Sequence, residues 1–83
     1  MRRIGKVLHV CRSGEMIVRA EGNLVPRIGD RVLGPDLRQV GVVIDVFGPV
    51  ASPYVAVRPL VDDPSRLVGR VLYVGRRRRR WRN

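Results

Sequence analysis

Residues 39–47 read Gln-Val-Gly-Val-Val-Ile-Asp-Val-Phe, QVGVVIDVF in one-letter form, and this stretch decides the fold. Its apolar side chains recur at every second position, which is the period of a β-strand. The even positions form one face made only of β-branched side chains, those of Val40, Val42, Ile44 and Val46. We expect this face to point into the core and the opposite, mixed face to point away from it.

The rest of the chain follows the same pattern. Val and Ile together number 20, a bias that suits strands. The longest stretches without Gly or Pro, residues 6–13 and 76–83, are shorter than an ordinary helix of about 11 residues. Alternation and turn residues predict strands at residues 2–11, 15–20, 30–34, 39–47, 53–60 and 69–75. Because an open sheet would leave two long exposed edges, we expect an all-β fold, a small six-stranded closed β-barrel without substantial helix.

Length and charge divide the chain into two parts. Its 83 residues allow one domain, which we place at residues 1–75. Six of the 17 Lys and Arg residues lie in the last eight positions, so the net charge of +10 falls to 10 − 6 = +4 without them. Residues 76–83 are therefore predicted to be a disordered, arginine-rich tail. A single cysteine and no apolar run of membrane-spanning length favour an intracellular protein that contacts no membrane.

Residues suited to catalysis or metal binding are few. His9 and Cys11 share a strand face, but their spacing holds them too far apart for a thiolate–imidazole pair. One His and one Cys cannot form a structural zinc site, and no phosphate-binding glycine loop occurs. The adjacent Asp62 and Asp63 precede a proline and fit a solvated loop. We expect no enzyme activity, no catalytic residue, no cofactor, no metal and no small-molecule substrate.

The stretch after the deciding strand is unusual for so basic a protein. Residues 45–57 read DVFGPVASPYVAV and hold one acidic and no basic side chain. Two prolines stiffen the stretch, and aromatic and aliphatic side chains on a rigid support suit a protein-binding hot spot. A plain hairpin turn would need neither proline. We predict a partner-binding surface made of Phe47, Gly48, Pro49, Val50, Pro53 and Tyr54.

The arginine tail has two interpretations. Dense like charge can serve simply as a solubilising end. Alternatively, guanidinium groups can bind RNA phosphates and a tryptophan can stack on a base. We favour the second interpretation, in which the RNA-binding residues are Arg76, Arg77, Arg78, Arg79, Arg80, Trp81 and Arg82.

Four segments together resemble a known family. Residues 41–50, GVVIDVFGPV, followed by residues 53–57, PYVAV, look like the signature of the Gar subunit of box H/ACA ribonucleoproteins. Residues 3–10, RIGKVLHV, residues 26–32, PRIGDRV, and residues 67–74, LVGRVLYV, are similar to that family in order and spacing. The resemblance covers most of residues 2–75, and the Phe-Gly-Pro-Val and Pro-Tyr elements are its most specific parts.

The resemblance implies a six-stranded barrel without catalytic activity. Such a subunit docks on the catalytic domain of the pseudouridine synthase of the particle and helps it load, position and release substrate RNA during rRNA modification and ribosome biogenesis. Other subunits hold the guide RNA. The partner surface would centre on the six residues of the Phe47–Tyr54 region given above. Archaeal members resemble the bare barrel, whereas eukaryotic members carry glycine-arginine arms, so the compact arginine run departs from both patterns.

A second function remains open at this point. The chain could instead be a directly RNA-binding β-barrel of ribosome assembly or translation, since its net charge is strongly positive. The two functions differ in whether residues 1–75 bind a synthase or bind RNA. We expect the first, with the synthase and the guide-RNA particle as partners in an archaeal cytoplasm.

Overall fold

The structure is a computed structural model that describes residues 2–21 and 25–75. These residues form a barrel of six strands. The strands are β1 (Arg2–Val10), β2 (Met16–Arg19), β3 (Arg31–Leu33), β4 (Gln39–Phe47), β5 (Tyr54–Pro59) and β6 (Val71–Gly75). Every neighbouring pair is antiparallel, and the order β1-β2-β5-β4-β3-β6 closes on itself. The prediction of an all-β, six-stranded closed barrel is confirmed. Helical structure in the described ranges is limited to one 3₁₀ turn, Pro64–Leu67.

The first hairpin shows how local sequence sets the topology. β1 and β2 pair across a turn in which Gly14, at φ 99°, donates its N–H to the Cys11 carbonyl at 2.9 Å. A positive φ is readily reached only by glycine, so the turn fixes this residue type. The connection from β2 to its other neighbour, β5, is not local, because β3 and β4 intervene in the sequence.

The core fills the barrel with apolar side chains. Residues with no exposed surface come from strands all around the barrel: Met16, Val18, Val32, Val43, Val55, Val57 and Leu72. Within the described ranges no polar or charged residue is buried. Burial of aliphatic side chains, at about 25 cal/mol per Å² of apolar surface, is therefore the main force that stabilises this small domain.

The predicted core face of β4 is wrong in its middle. Val43, expected on the outer face, is completely buried, whereas Val42 and Ile44 are only half-buried. Two register shifts explain the difference: one lies opposite Val32 and Leu33 of β3, and the other lies between Val43 and Asp45 in the ladder with β5. Each bulge adds one residue to β4 and shifts the alternation by one position. The strand therefore begins and ends as predicted, while its central side chains face the other way.

Candidate protein-docking surface

The β4–β5 connection forms a tight, projecting turn at one end of the barrel. Gly48 has φ 90°, and the Ser52 N–H donates to the Pro49 carbonyl at 3.2 Å, which closes the turn over Val50 and Ala51. Val50 is 95% exposed. An apolar side chain in that position gains no burial from the fold of the isolated chain and is accessible to a partner.

An aromatic pair lies at the base of this turn. Phe47 and Tyr54 face each other as the last pair of the β4–β5 ladder, with ring centroids 5.7 Å apart and planes inclined by 29°. Phe47 remains 44% exposed, and Tyr54 is half-buried. The stacked rings hold each other's rotamers, which lowers the side-chain entropy lost when a partner docks.

The turn is braced from the neighbouring strand. Arg19 of β2 pairs with Tyr54, places its guanidinium carbon 6.0 Å from the centre of the Tyr54 ring, and donates from Nε to the Ser52 hydroxyl at 3.0 Å. The Ser52 hydroxyl in turn donates to the Ala20 carbonyl at 3.2 Å, and the Ala20 N–H donates to the Pro53 carbonyl at 2.9 Å. These contacts make the turn part of the barrel wall and hold it in one conformation.

Five of the six predicted partner-binding residues share an accessible surface. We call this surface the ledge and define it as Phe47, Gly48, Pro49, Val50 and Tyr54 together with Arg19. The sixth predicted residue, Pro53, is buried and supports the ledge from beneath through its backbone. The sequence did not indicate Arg19, because its contacts depend on the β2–β5 pairing, which joins strands distant in sequence. The ledge can offer a partner two aromatic rings, an exposed aliphatic tip and one cation.

The other residues considered in the sequence are the arginine tail, the His9–Cys11 pair and possible metal ligands. The tail residues Arg76, Arg77, Arg78, Arg79, Arg80, Trp81 and Arg82 lie outside the described residues. The Cys11 Sγ lies 4.0 Å from the His9 Nε2, longer than the roughly 3 Å contact of an activated thiolate. No group of His, Cys, Asp and Glu in residues 2–21 and 25–75 could hold a metal ion. Among those same residues, no helix is long and apolar enough to cross a membrane.

An open groove lies away from the ledge. It has a volume of about 450 Å³ and lies between the loop after β3 and the segment around the 3₁₀ turn. Its floor is apolar, with Val40 and Leu67, while Asp36, Asp62 and Arg66 are among the charged residues at its rim. Acidic and basic groups both line it, so the groove carries no single charge preference that would identify a ligand.

Comparison with known proteins gives consistent results. The sequence model of a family described as the Gar1/Naf1 RNA binding region matches residues 1–77. An uncharacterized protein of Methanothermobacter thermautotrophicus is 33% identical over 79 residues, which span 90% of this chain and 84% of that protein. An uncharacterized protein of Methanocaldococcus jannaschii is 34% identical over 58 residues, spanning 70% of this chain and 68% of its own length. The family match supports an RNA-related, ribonucleoprotein role.

Proposed function

This chain belongs to the Gar1/Naf1 RNA-binding family, and from that premise we propose that it is a non-catalytic subunit of the box H/ACA pseudouridylation particle. In this function it docks on the catalytic domain of the pseudouridine synthase and assists the loading and release of substrate RNA. Both relatives compared above are archaeal, so the proposed location is the cytoplasm of an archaeal cell.

The observation that carries the docking proposal is the chemical contrast between the ledge and the rest of the chain. The protein has a net charge of +10, yet residues 48–53, which form the turn of the ledge, hold no charged residue. Within this turn, Val50 is almost fully exposed. Phosphate would be bound by cations, whereas an apolar, preorganised surface favours another protein. Arg19 at the edge of the ledge could pair with a carboxylate of the synthase and fix the orientation of docking.

A second candidate function is direct RNA binding in ribosome assembly or translation. The positive charge of the chain and the RNA-binding description of its family favour it. The difference between the two lies in the partner: a subunit of the synthase particle binds the synthase without RNA, and an independent RNA-binding barrel does not.

The test is a binding experiment with purified full-length protein and the catalytic subunit of an archaeal pseudouridine synthase. We expect a complex that forms in the absence of RNA and persists at about 0.5 M salt, because apolar contacts are not screened as exposed ion pairs are. Titration calorimetry would give the affinity. Failure to bind the synthase, together with tight binding to RNA alone, would select the second function.

A further inference from the structure

Two arginines flank a valine on the outer wall of three adjacent strands. The register pairs Arg31 of β3 with Val42 of β4, and Val42 with Arg58 of β5. Their sequence neighbours Val32 and Val57 are completely buried, so the arginine side chains lie on the outside, where both residues are exposed. Two strand spacings of about 4.8 Å place the two backbones roughly 10 Å apart. We call this row the basic wall.

The basic wall has no internal counter-charge in the part of the chain that the structure describes. Neither Arg31 nor Arg58 takes part in an ion pair with a described carboxylate, although Arg3 and Arg38 do. Glu15, the residue before Met16, lies opposite Arg58 where the β2–β5 register continues, but no ion pair joins the two side chains.

Two further acidic residues near the wall accept hydrogen bonds from backbone N–H groups. Asp30, next to Arg31, accepts a hydrogen bond from the Arg27 N–H at 2.9 Å. Asp45 of β4 accepts one from the Val46 N–H at 2.8 Å. The fold therefore leaves two like charges facing solvent across an uncharged side chain, an arrangement that an external anion would relieve.

The last residue of β6 also lies beside the wall. Arg31 pairs on its other side with Gly75, the last residue of β6. The sequence continues from Gly75 directly into Arg76, the first of six arginines. The arginines that follow Gly75 in the sequence carry the same sign of charge, so they cannot serve as the counter-charge of the wall.

We propose that the basic wall, centred on Arg31, Val42 and Arg58, binds the phosphate backbone of RNA. Guanidinium groups match phosphate oxygens in a bidentate geometry, and Val42 between them leaves a low, uncharged surface over which a strand can pass. Phe47 lies five residues further along β4, roughly 17 Å at the rise of a strand, so protein at the ledge and RNA at the wall need not compete. This inference rests on the proposed function, in which the chain assists the loading and release of substrate RNA, and on the RNA-binding family to which the chain belongs.

The test uses full-length protein and a mixed-sequence, single-stranded RNA oligonucleotide. The variant R31Q/R58Q removes the two charges of the wall. As a matched control, R66Q/R70Q removes the charges of Arg66 and Arg70, two exposed residues that line the groove. Affinity is measured by fluorescence anisotropy over a range of salt concentrations. The slope of log K against log salt is negative, and each lost phosphate contact makes it shallower by about 0.7. We therefore expect the slope of R31Q/R58Q to be shallower than that of the wild type by about 1.4, while the slope of the control stays near the wild-type value. Synthase binding should be unchanged in both variants.

The possible outcomes are distinct. Equal slopes for wild type and R31Q/R58Q, or an equal decrease in R66Q/R70Q, would overturn the assignment of the wall while leaving RNA binding by the chain intact. Loss of synthase binding in R31Q/R58Q with unchanged RNA affinity would also overturn it, because the wall would then be a protein contact. If the wild-type protein binds no RNA, the assignment of the wall fails, while synthase binding measured separately still decides the docking role. Circular dichroism confirms that each variant is folded.

Discussion

Tyr54 occupies the space that a side chain on Gly48 would need. A Cβ atom at position 48 would lie 2.8 Å from the Tyr54 Cδ2, and the backbone there has φ 90°. The stacking of Phe47 on Tyr54 and the direction of the turn thus both depend on the absence of a side chain at this residue.

We therefore expect G48A to damage the ledge. The positive φ costs an alanine about 1–2 kcal/mol of stability, and the added methyl group also displaces the Tyr54 ring. G14A is the matched control, because Gly14 has φ 99° and open space around its Cβ position. Both variants should lose stability in thermal unfolding, G48A somewhat more because of the clash with Tyr54, but only G48A should weaken synthase binding. An equal effect of both on binding would show that the ledge does not contact the synthase.

Removal of either aromatic ring tests the ledge directly. F47A and Y54A should each weaken synthase binding by about 2 kcal/mol or more, as expected for hot-spot residues, with only a modest decrease in melting temperature. L8A is a suitable control, since Leu8 is 45% exposed and Phe47 is 44% exposed. Calorimetry with the synthase gives the affinities. If the aromatic variants unfold, and binding merely follows the folded fraction, the two rings are structural and the assignment of the docking surface is wrong.

Deletion of residues 76–83 tests the arginine tail. Six of the ten net positive charges are removed, so affinity for RNA or for the guide-RNA particle should fall while synthase binding is retained. If about four arginines bind phosphates, the salt slope should flatten by roughly three units. The loss should be similar for RNAs of different sequence, because phosphate contacts carry no sequence information. Identical slopes for full-length and truncated protein would mean that the tail is only a solubilising end.

Gly41 tests the packing of β4 against β5. A Cβ atom at this position would lie 2.5 Å from the Val57 Cγ1 and 2.6 Å from the Arg58 carbonyl oxygen. G41A should therefore cost about 1–3 kcal/mol of stability, a typical value for overpacking. G75A provides the comparison, because a Cβ at Gly75 would meet Leu33 at an ordinary 3.5 Å. Equal melting temperatures of the two variants would contradict the bulged geometry of β4.

The strands were predictable from the sequence because Gly, Pro and Asp separate β-branched runs with little ambiguity. Residues 39–47 were assigned to the observed β4 residue for residue, and the other strands differ from the prediction by only one or two residues at their ends. Barrel closure followed from the need to protect strand edges in so short a chain.

The orientation of Val42, Val43 and Ile44 was not predictable in the same way. A bulge depends on the ladders that a strand forms with both neighbours, and the local sequence does not state which residue will be the extra one. Arg19 and the basic wall were not predictable from the sequence for a related reason. Their meaning depends on the partners of β2, β3 and β5 across the barrel, whereas residues 47–54 are adjacent in sequence and could be recognised as a unit.

Closure of the barrel also limits how this protein can be recognised. The described strands present no free edge to which a partner could add a strand of its own, so a partner that binds the described barrel contacts its side chains and turns. Side chains on the outer wall can change one at a time without disturbing the backbone ladders beneath them. In such a scaffold, new binding preferences can evolve by single substitutions at residues such as Val50 or Arg58, and the cost in folding stability stays small.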